Sequence, residues 1–552
     1  MENLYPVRNC KSYTDMENEA FEKRRQLISK RKVRISNGVN RRQFLTLAAG
    51  SAAAAAFSGS CGRVATSKPA LSEAEGPKAL GVAPPNIIFM MADDQRWDAM
   101  GCMGNPVVKT TNMDRLASDG VLFTNAFLTT SICMASRACV MLGQFEARHQ
   151  CNFERPSNKT ISYAEFDRSY PRLLQKAGYR TGFIGKFGFA VSKEKILNCP
   201  LNPDGSRDGK GHLWKKPEYM PSDKFDSWYG FPGQGTYFPK NKRGKHLTGI
   251  MGEQAAEFLR SGNPNKPFCL SISFKAPHGP NQPDPACKDM YKDVEIPRQL
   301  NDGDEYFEKL PEVVRRHWRG RRVYNREAGP DKYQEFMERY YQCITGIDTV
   351  IGRIRAELKR LKLDDNTVII YTSDNGYFLG SKGLGGKALL YEESIRTPLI
   401  IFDPRLDVSK RAARRPHLVM SVDFAPTMLD IAGLKPPATM QGKSLAPLLN
   451  DPKAKWRDST FHENYFTSHF MPSLRNAGGW RQKVLERSVR CKAVRTKRYK
   501  YIRYFEQRPL IEELFDLQND PIEANNLVGK SQYSNILASM RKKCDDWIRK
   551  AK

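Results

Sequence analysis

Three short runs of this chain are almost wholly apolar, and each stops at residues that carry chemistry. Asn86-Ile87-Ile88-Phe89-Met90-Met91 ends in Ala92-Asp93-Asp94, and Thr367-Val368-Ile369-Ile370-Tyr371-Thr372 ends in Ser373-Asp374-Asn375-Gly376. The third, Phe268-Cys269-Leu270-Ser271-Ile272-Ser273-Phe274, leads into Lys275-Ala276-Pro277-His278. Short runs of this kind read as buried strands. Helical patterns such as Tyr170–Gly178 and Tyr340–Arg360 lie between them, giving the alternation of a layered α/β/α domain. In open α/β sheets, sites assemble in loops at the carboxyl ends of strands. The three runs are therefore expected to bring their Asp, Asn, Lys and His residues to one pocket.

The residue types define the chemistry of that pocket. Asp93, Asp94, Asp374 and Asn375 offer oxygen ligands, a set suited to a hard divalent cation such as calcium or magnesium rather than zinc. Such a cation would sit against an anionic ester and neutralise charge on its oxygens. Arg137, Lys186 in Gly185-Lys186-Phe187-Gly188, Lys275, and Lys387 in Gly386-Lys387 are far apart in sequence, but if they converge they can bind oxyanion oxygens. Cys133-Met134-Ala135-Ser136-Arg137 supplies a thiol four residues before an arginine. Alone it would read as a buried thiol beside a surface arginine; together with the acidic pairs it describes one metal-dependent hydrolytic site.

Composition narrows the partners. A chain of 552 residues accommodates a large domain and a smaller one. The net charge is +29, of which roughly +6 falls in residues 1–61, so polyanions are plausible partners of the remainder. No zinc-finger spacing, aromatic RNA-binding signature or long basic amphipathic helix is present, so nucleic acid is not expected among them. Twelve cysteines are scattered without short regular spacing, which argues against a disulfide framework and, lacking C-x-x-C pairs, against structural zinc.

Residues 1–61 read as an address label. A stretch rich in Lys and Arg precedes Asn40-Arg41-Arg42-Gln43-Phe44-Leu45 and an alanine-rich apolar run from Leu45 to Phe57, which resembles a twin-arginine export signal with an extended basic n-region. The apolar run is about 13 residues, short of the ~20 needed to span a bilayer. The expected location is periplasmic or extracellular. Cys61 follows Ser58-Gly59-Ser60 and is a candidate lipidation site, with Ser in place of the usual Leu three residues earlier. Residues 62–85 read as a flexible linker.

Taken in order, these residues resemble the type I, formylglycine-dependent sulfatases of the alkaline-phosphatase-like superfamily. Cys133, Ala135 and Arg137 occupy that family's C-x-A-x-R core, and the likeness runs from Asn86 to about Leu527. It passes through Tyr179-Arg180-Thr181, Gly185-Lys186, Lys275-Ala276-Pro277-His278, Ser373-Asp374-Asn375-Gly376, Lys387 and Tyr391-Glu392-Glu393-Ser394-Ile395-Arg396-Thr397-Pro398-Leu399. It ends in Asp423-Phe424-Ala425-Pro426-Thr427 and Glu513-Leu514-Phe515-Asp516-Leu517, followed by Asp520-Pro521 and Asn525-Asn526-Leu527. The resemblance implies an α/β/α sandwich around a large mostly parallel sheet, residues 86–440, and a smaller C-terminal antiparallel-sheet subdomain, residues 441–552, closing over the pocket.

By the same resemblance, Cys133 is oxidised to formylglycine by a formylglycine-generating or anaerobic sulfatase-maturating enzyme. Its hydrate attacks sulfur, and a covalent sulfate intermediate then collapses. Asp93, Asp94, Cys133, Asp374 and Asn375 would hold calcium, with magnesium the alternative, and Arg137 would orient the hydrate. Lys186, His278 and Lys387 would clamp the sulfate and assist the leaving oxygen, with His278 as proton donor. The implied substrate is a sulfated carbohydrate; the site of sulfation, ester against sulfamate, and exo against endo action stay open. Two rivals stay open too: a phosphonate or phosphodiester hydrolase, and a catalytically silent sulfated-glycan binder.

Two departures stand out. Many relatives carry a His two positions after the lysine of the Gly-Lys stretch, where this chain has Gly188, so the base for breaking down the intermediate is unassigned; His149 follows shortly after the Cys133 motif, but nothing in the sequence places it near the site. Ala135 replaces the commoner proline, which bears on the choice of maturation enzyme. Further on, Val494-Arg495-Thr496-Lys497-Arg498-Tyr499-Lys500-Tyr501-Ile502-Arg503-Tyr504 alternates basic and aromatic residues, either to grip a sulfated glycan or as an ordinary antiparallel strand pair with one wet face.

Overall fold

A computed structural model describes residues 83–152, 159–196, 213–466 and 489–552. The export-signal segment, Cys61, residues 62–82 of the linker and part of the 198–246 loop lie outside the described residues. The described residues belong to one compact unit. No helix among them is long and apolar enough to cross a membrane, and the nine described cysteines are all free thiols.

The three apolar runs are neighbours. β1 (Asn86–Asp93) is buried at every position and lies between β5 (Phe268–Pro277) and β6 (Thr367–Ser373), parallel to both. The full eight-stranded sheet adds β2 (Val121–Phe123), β3 (Arg180–Lys186), β4 (Ser227–Phe231), β7 (Leu399–Phe402) and β8 (Ala413–Arg415), in the order β8-β2-β7-β6-β1-β5-β3-β4. Only the pairings of β7 are antiparallel. A strand central in such a sheet has both faces covered, which is why β1, β5 and β6 carry apolar residues at successive rather than alternate positions.

Alternate residues of β1 enter opposite layers. Ile87, Phe89 and Met91 pack with α2 (Cys133–Leu142), α3 (Tyr170–Lys176) and α6 (Phe424–Ile431). Ile88, Met90 and Ala92 pack with α1 (Thr111–Asp119), α4 (Leu247–Arg260) and α5 (Tyr333–Arg360). Each fully buried Ile, Phe or Met contributes about 1.5–3 kcal/mol, so truncating Phe89 or Ile88 to Ala would loosen the frame under the site. α5 begins at Tyr333, seven residues before the start read from sequence periodicity.

Register then fixes the site. Met91 pairs with Ser273 on one side and Thr372 on the other, so the carboxyl ends of all three strands reach the same level. A shift in the β1–β5 register between Met91 and Asp93 marks a bulge, a common device for re-aiming side chains beside active sites.

The smaller sheet is a four-stranded antiparallel meander, β9 (Ser459–Asn464), β10 (Cys491–Thr496), β11 (Tyr499–Tyr504) and β12 (Ile511–Asp516). One face packs on α7 (Ser534–Ala551). The other, through Cys491, Ala493, Ile502, Tyr504 and Phe515, packs on Leu389, Leu390, Tyr391 and Ile395, just after Lys387. Of the two readings of the basic β10–β11 stretch, the glycan grip loses its inner cations. Lys500 is fully buried against Glu523 (2.7 Å) and Glu392 (3.3 Å), and Arg495 pairs with Glu392.

Candidate active site

Cys133 is the first residue of α2, after Ile132 turns the chain in with extended backbone, and all ten residues of that helix are buried. The amides of a first helical turn have no intrahelical acceptors and carry the positive end of the helix dipole, so the position favours an anionic group. Lys387 reinforces this, with Nζ 3.2 Å from Cys133 Sγ.

The acidic pairs converge as the strand ends require. Asp93, Asp94 and Asp374 each present a carboxylate oxygen within 4.8 Å of the others, and Asp93, Cys133 and His278 form a second such group. Asp94 has φ of 72°, a left-handed conformation that costs a non-glycine residue on the order of 1–3 kcal/mol. Tyr340 of α5 pins it: its hydroxyl donates to Asp94 O at 2.7 Å and accepts from Arg96 N at 2.9 Å.

Cations surround these carboxylates. Lys186 donates to Asp93 and, at 2.6 Å, to Gln234. Lys387 donates to Asp94 and stands 3.6 Å from Asp93. Arg137 points away from solvent, with Nε 2.8 Å from Asp374 Oδ2, one terminal nitrogen 2.7 Å from the same oxygen and 3.3 Å from Asp93, and the other 2.7 Å from Lys186 O and against Ser273. It therefore braces the two carboxylates and the end of β3.

Protonation follows from this packing. Burial alone would raise Asp93, but Lys186, His278, Lys387 and Arg137 hold it well below the usual carboxylate range. Burial and then the charge of Asp93 push Asp374 up to about 7. Burial disfavours the charge of Lys387, yet Asp94, Cys133 and Asp93 hold it well above an ordinary lysine.

His278 and Lys275 complete the set on the β5 end. His278 Nδ1 donates to Gly279 O at 2.9 Å, which leaves Nε2 facing Asp94 Oδ2 at 3.8 Å. Burial lowers both His278 and Lys275, opposed by the charges of Asp93 and Asp94. Lys275 Nζ lies 3.2 Å from Gly279 O and 4.9 Å from the Tyr237 ring, whose hydroxyl donates to His278 O at 2.7 Å. Sequence reasoning missed Gln234, Tyr237, Ser273 and Tyr340; each arrives through tertiary packing and has no local motif.

The donor set fits a hard divalent cation. Within and beside the three clustered carboxylates, Asp93 Oδ1 and Asn375 Oδ1 are buried and accept no hydrogen bond among the described residues, which leaves both oxygens available as ligands. Asn375 Nδ2 donates to Asp94 and to Gly376 O (3.0 Å), which turns its oxygen the other way.

Gly188 has a structural reason. Its φ is 93°, and a Cβ there would lie 2.4 Å from Arg137 Cδ, so the space a side chain would need is filled by the Arg137 stem. His149 does not take over: it is buried, with Nδ1 accepting from Cys151 N at 3.0 Å and Nε2 3.2 Å from Cys139 Sγ, and burial lowers it to about 3.

The sulfatase family profile matches residues 85–434, and the profile of the N-sulphoglucosamine sulphohydrolase C-terminal region matches residues 380–550. The chain belongs to the sulfatase family. An N-acetylglucosamine-6-O-sulfatase of Bacteroides thetaiotaomicron is 30% identical over 84% of this chain and 86% of its own length. An arylsulfatase of Clostridium perfringens is 28% identical over 83% and 93%. A solved structure in complex with its substrate D-glucosamine-2-N,6-O-disulfate superposes with a TM-score of 0.64 at 27% identity, covering 85% of this chain and 98% of that one. A phosphonate monoester hydrolase of Agrobacterium radiobacter shares the fold, with a TM-score of 0.68 at 22% identity over 85% and 96%. This sulfatase is a sulfuric ester hydrolase of alkaline-phosphatase-like fold.

Proposed function

We propose that this sulfatase hydrolyses sulfate esters of a sulfated carbohydrate at Cys133, oxidised to formylglycine, beside a calcium ion held by Asp93, Asp94, Asp374 and Asn375. The observation that carries the reading is the juxtaposition of Cys133 Sγ, at the start of a buried helix and 3.2 Å from Lys387 Nζ, with the carboxylate cluster. Sulfated-sugar chemistry among the relatives supports the substrate class. When in place, the hydrated aldehyde supplies a nucleophilic oxygen with a second hydroxyl to expel the product, and the cation neutralises charge on the ester oxygens.

The chain's own residues do the rest. Lys387, Lys186 and Lys275 place fixed positive charge around the oxyanion at the buried end of the site, where each is worth more than at a surface. Arg137 holds Asp374 and Asp93 in position. His278, with Nδ1 committed to Gly279 O, presents Nε2 to the leaving oxygen and donates a proton there when charged.

Maturation and export follow from the sequence. A formylglycine-generating or anaerobic sulfatase-maturating enzyme would oxidise Cys133 before the twin-arginine machinery carries the folded protein outward, to a periplasmic or extracellular location, with Cys61 as a lipid attachment point. The test of function is relative release of sulfate and phosphate from matched aryl esters by protein co-produced with a maturating enzyme. Sulfate release faster by about 100-fold or more, roughly 2.7 kcal/mol in transition-state stabilisation, supports the reading. Faster phosphate or phosphonate cleavage would give the assignment to the hydrolase rival, and glycan affinity without turnover from converted protein to the silent binder.

A further inference from the structure

The site opens into a cavity of about 480 Å³, of a size that holds a small ligand. Asp94, His278 and Lys387 line its inner end, where the Asp94 and Lys387 side chains are only 4% and 7% exposed. Arg326 and Arg339 line its outer end, with side chains 66% and 42% exposed. Lys387, 3.2 Å from Cys133 Sγ, stands where it can meet the scissile sulfate, which leaves the two arginines at the exposed end of the cavity for another group.

Both are placed by helices. Arg326 sits near the end of the helix Trp318–Glu327 and is steadied by Glu327, whose other carboxylate oxygen accepts from Tyr377 at 2.6 Å. Arg339, on α5, gives one terminal nitrogen to Glu335 at 2.8 Å, a turn earlier. A guanidinium has five donor hydrogens in a planar fork, so one carboxylate contact leaves an edge free for another oxyanion. Arg339 Nε is shielded from solvent and has no hydrogen-bond partner among the described residues. Arginine in this setting recognises planar or tetrahedral oxyanions more selectively than lysine does.

We propose that Arg326 and Arg339 form a second anion subsite, so that the substrate is a saccharide bearing another sulfate or a carboxylate beside the scissile ester. This deepens, and rests on, the sulfatase reading above. The second anion settles on the arginines at the mouth while the ester reaches Cys133, which fixes the sugar's orientation in the cavity.

The test compares 4-nitrophenyl sulfate, which has one anion, with D-glucosamine-2-N,6-O-disulfate, which has two, on the matured full-length enzyme and on its Arg326→Gln and Arg339→Gln variants. The wild-type enzyme is expected to favour the disulfate. Each substitution is expected to lower kcat/KM for the disulfate by about 10- to 100-fold while leaving the aryl sulfate within about two-fold, the loss of one charge-assisted contact. Aryl sulfate turnover also reports that each variant is folded. Equal losses on both substrates, no loss on either, or a wild-type enzyme that cleaves only the aryl sulfate would overturn the subsite. A matured enzyme that cleaves neither would count against the sulfatase reading itself.

Discussion

Gly188→Ala probes the linkage between backbone and site most sharply, because one methyl group meets two constraints. Alanine at φ of 93° carries strain of about 1–3 kcal/mol. Its Cβ would also stand 2.4 Å from Arg137 Cδ, in the middle of a side chain whose far end is fixed to Asp374 at 2.7–2.8 Å and to Lys186 O at 2.7 Å. Arg137 cannot swing aside without loosening at least one charge-assisted hydrogen bond worth about 1.5–3 kcal/mol. The sum is a destabilisation of roughly 2.5–6 kcal/mol, read as a lowered urea midpoint at unchanged slope. Because Arg137 holds Asp374, displacement on the ångström scale should also lower kcat/KM by about 100-fold. Gly188→His should do the same rather than supply a base. A Gly188→Ala protein within about 0.5 kcal/mol of wild type and fully active would refute the coupling of Gly188 to Arg137.

Asp374→Asn is expected to cut turnover by at least about 100-fold and to remove the response to added divalent cation; near-normal activity with normal calcium dependence would end its role as a ligand. Chelation is expected to lower the melting temperature as well as activity, since Asp93, Asp94 and Asp374 within 4.8 Å then lose their shared counter-charge; an unchanged melting temperature would argue against a resident ion. Burial pushes Glu513, which accepts from Tyr391 and Tyr504, up to about 7. A raised carboxylate pKa means the folded state binds the extra proton, so this group's contribution to stability falls as pH rises from about 4.5 towards 7. Glu513→Gln should therefore gain about 2 kcal/mol on wild type between pH 5 and pH 7 in denaturation experiments, and parallel pH profiles would show that Glu513 does not titrate in that window.

The strands and their acidic ends were legible because a strand buried on both faces leaves an unbroken apolar run, and the chemistry lies where the run stops. β1, β5 and β6 show this, and their adjacency put Asp93, Asp94, Asp374, Asn375 and His278 together. Cys133 was legible through its spacing to Arg137, but its place at the start of a helix was not, since Cys133–Leu142 is buried all round and carries no amphipathic period. Gln234, Ser273 and Tyr340 were invisible because their roles depend on which loop or helix packs over the strand ends. The basic alternation of β10 and β11 was ambiguous for a related reason: periodicity shows that Arg495 and Lys500 share a strand pair, but not that Glu392 and Glu523 wait on the inner side. Gly188 was legible only as a departure; its cause, the Arg137 stem, is a tertiary contact.

The mass of the peptide containing Cys133, from protein whose sulfate-ester turnover has been measured, decides whether this residue is the source of the nucleophile. Formylglycine is expected at that position, with turnover rising in proportion to the converted fraction. Full turnover from protein whose Cys133 is an unmodified thiol would contradict it.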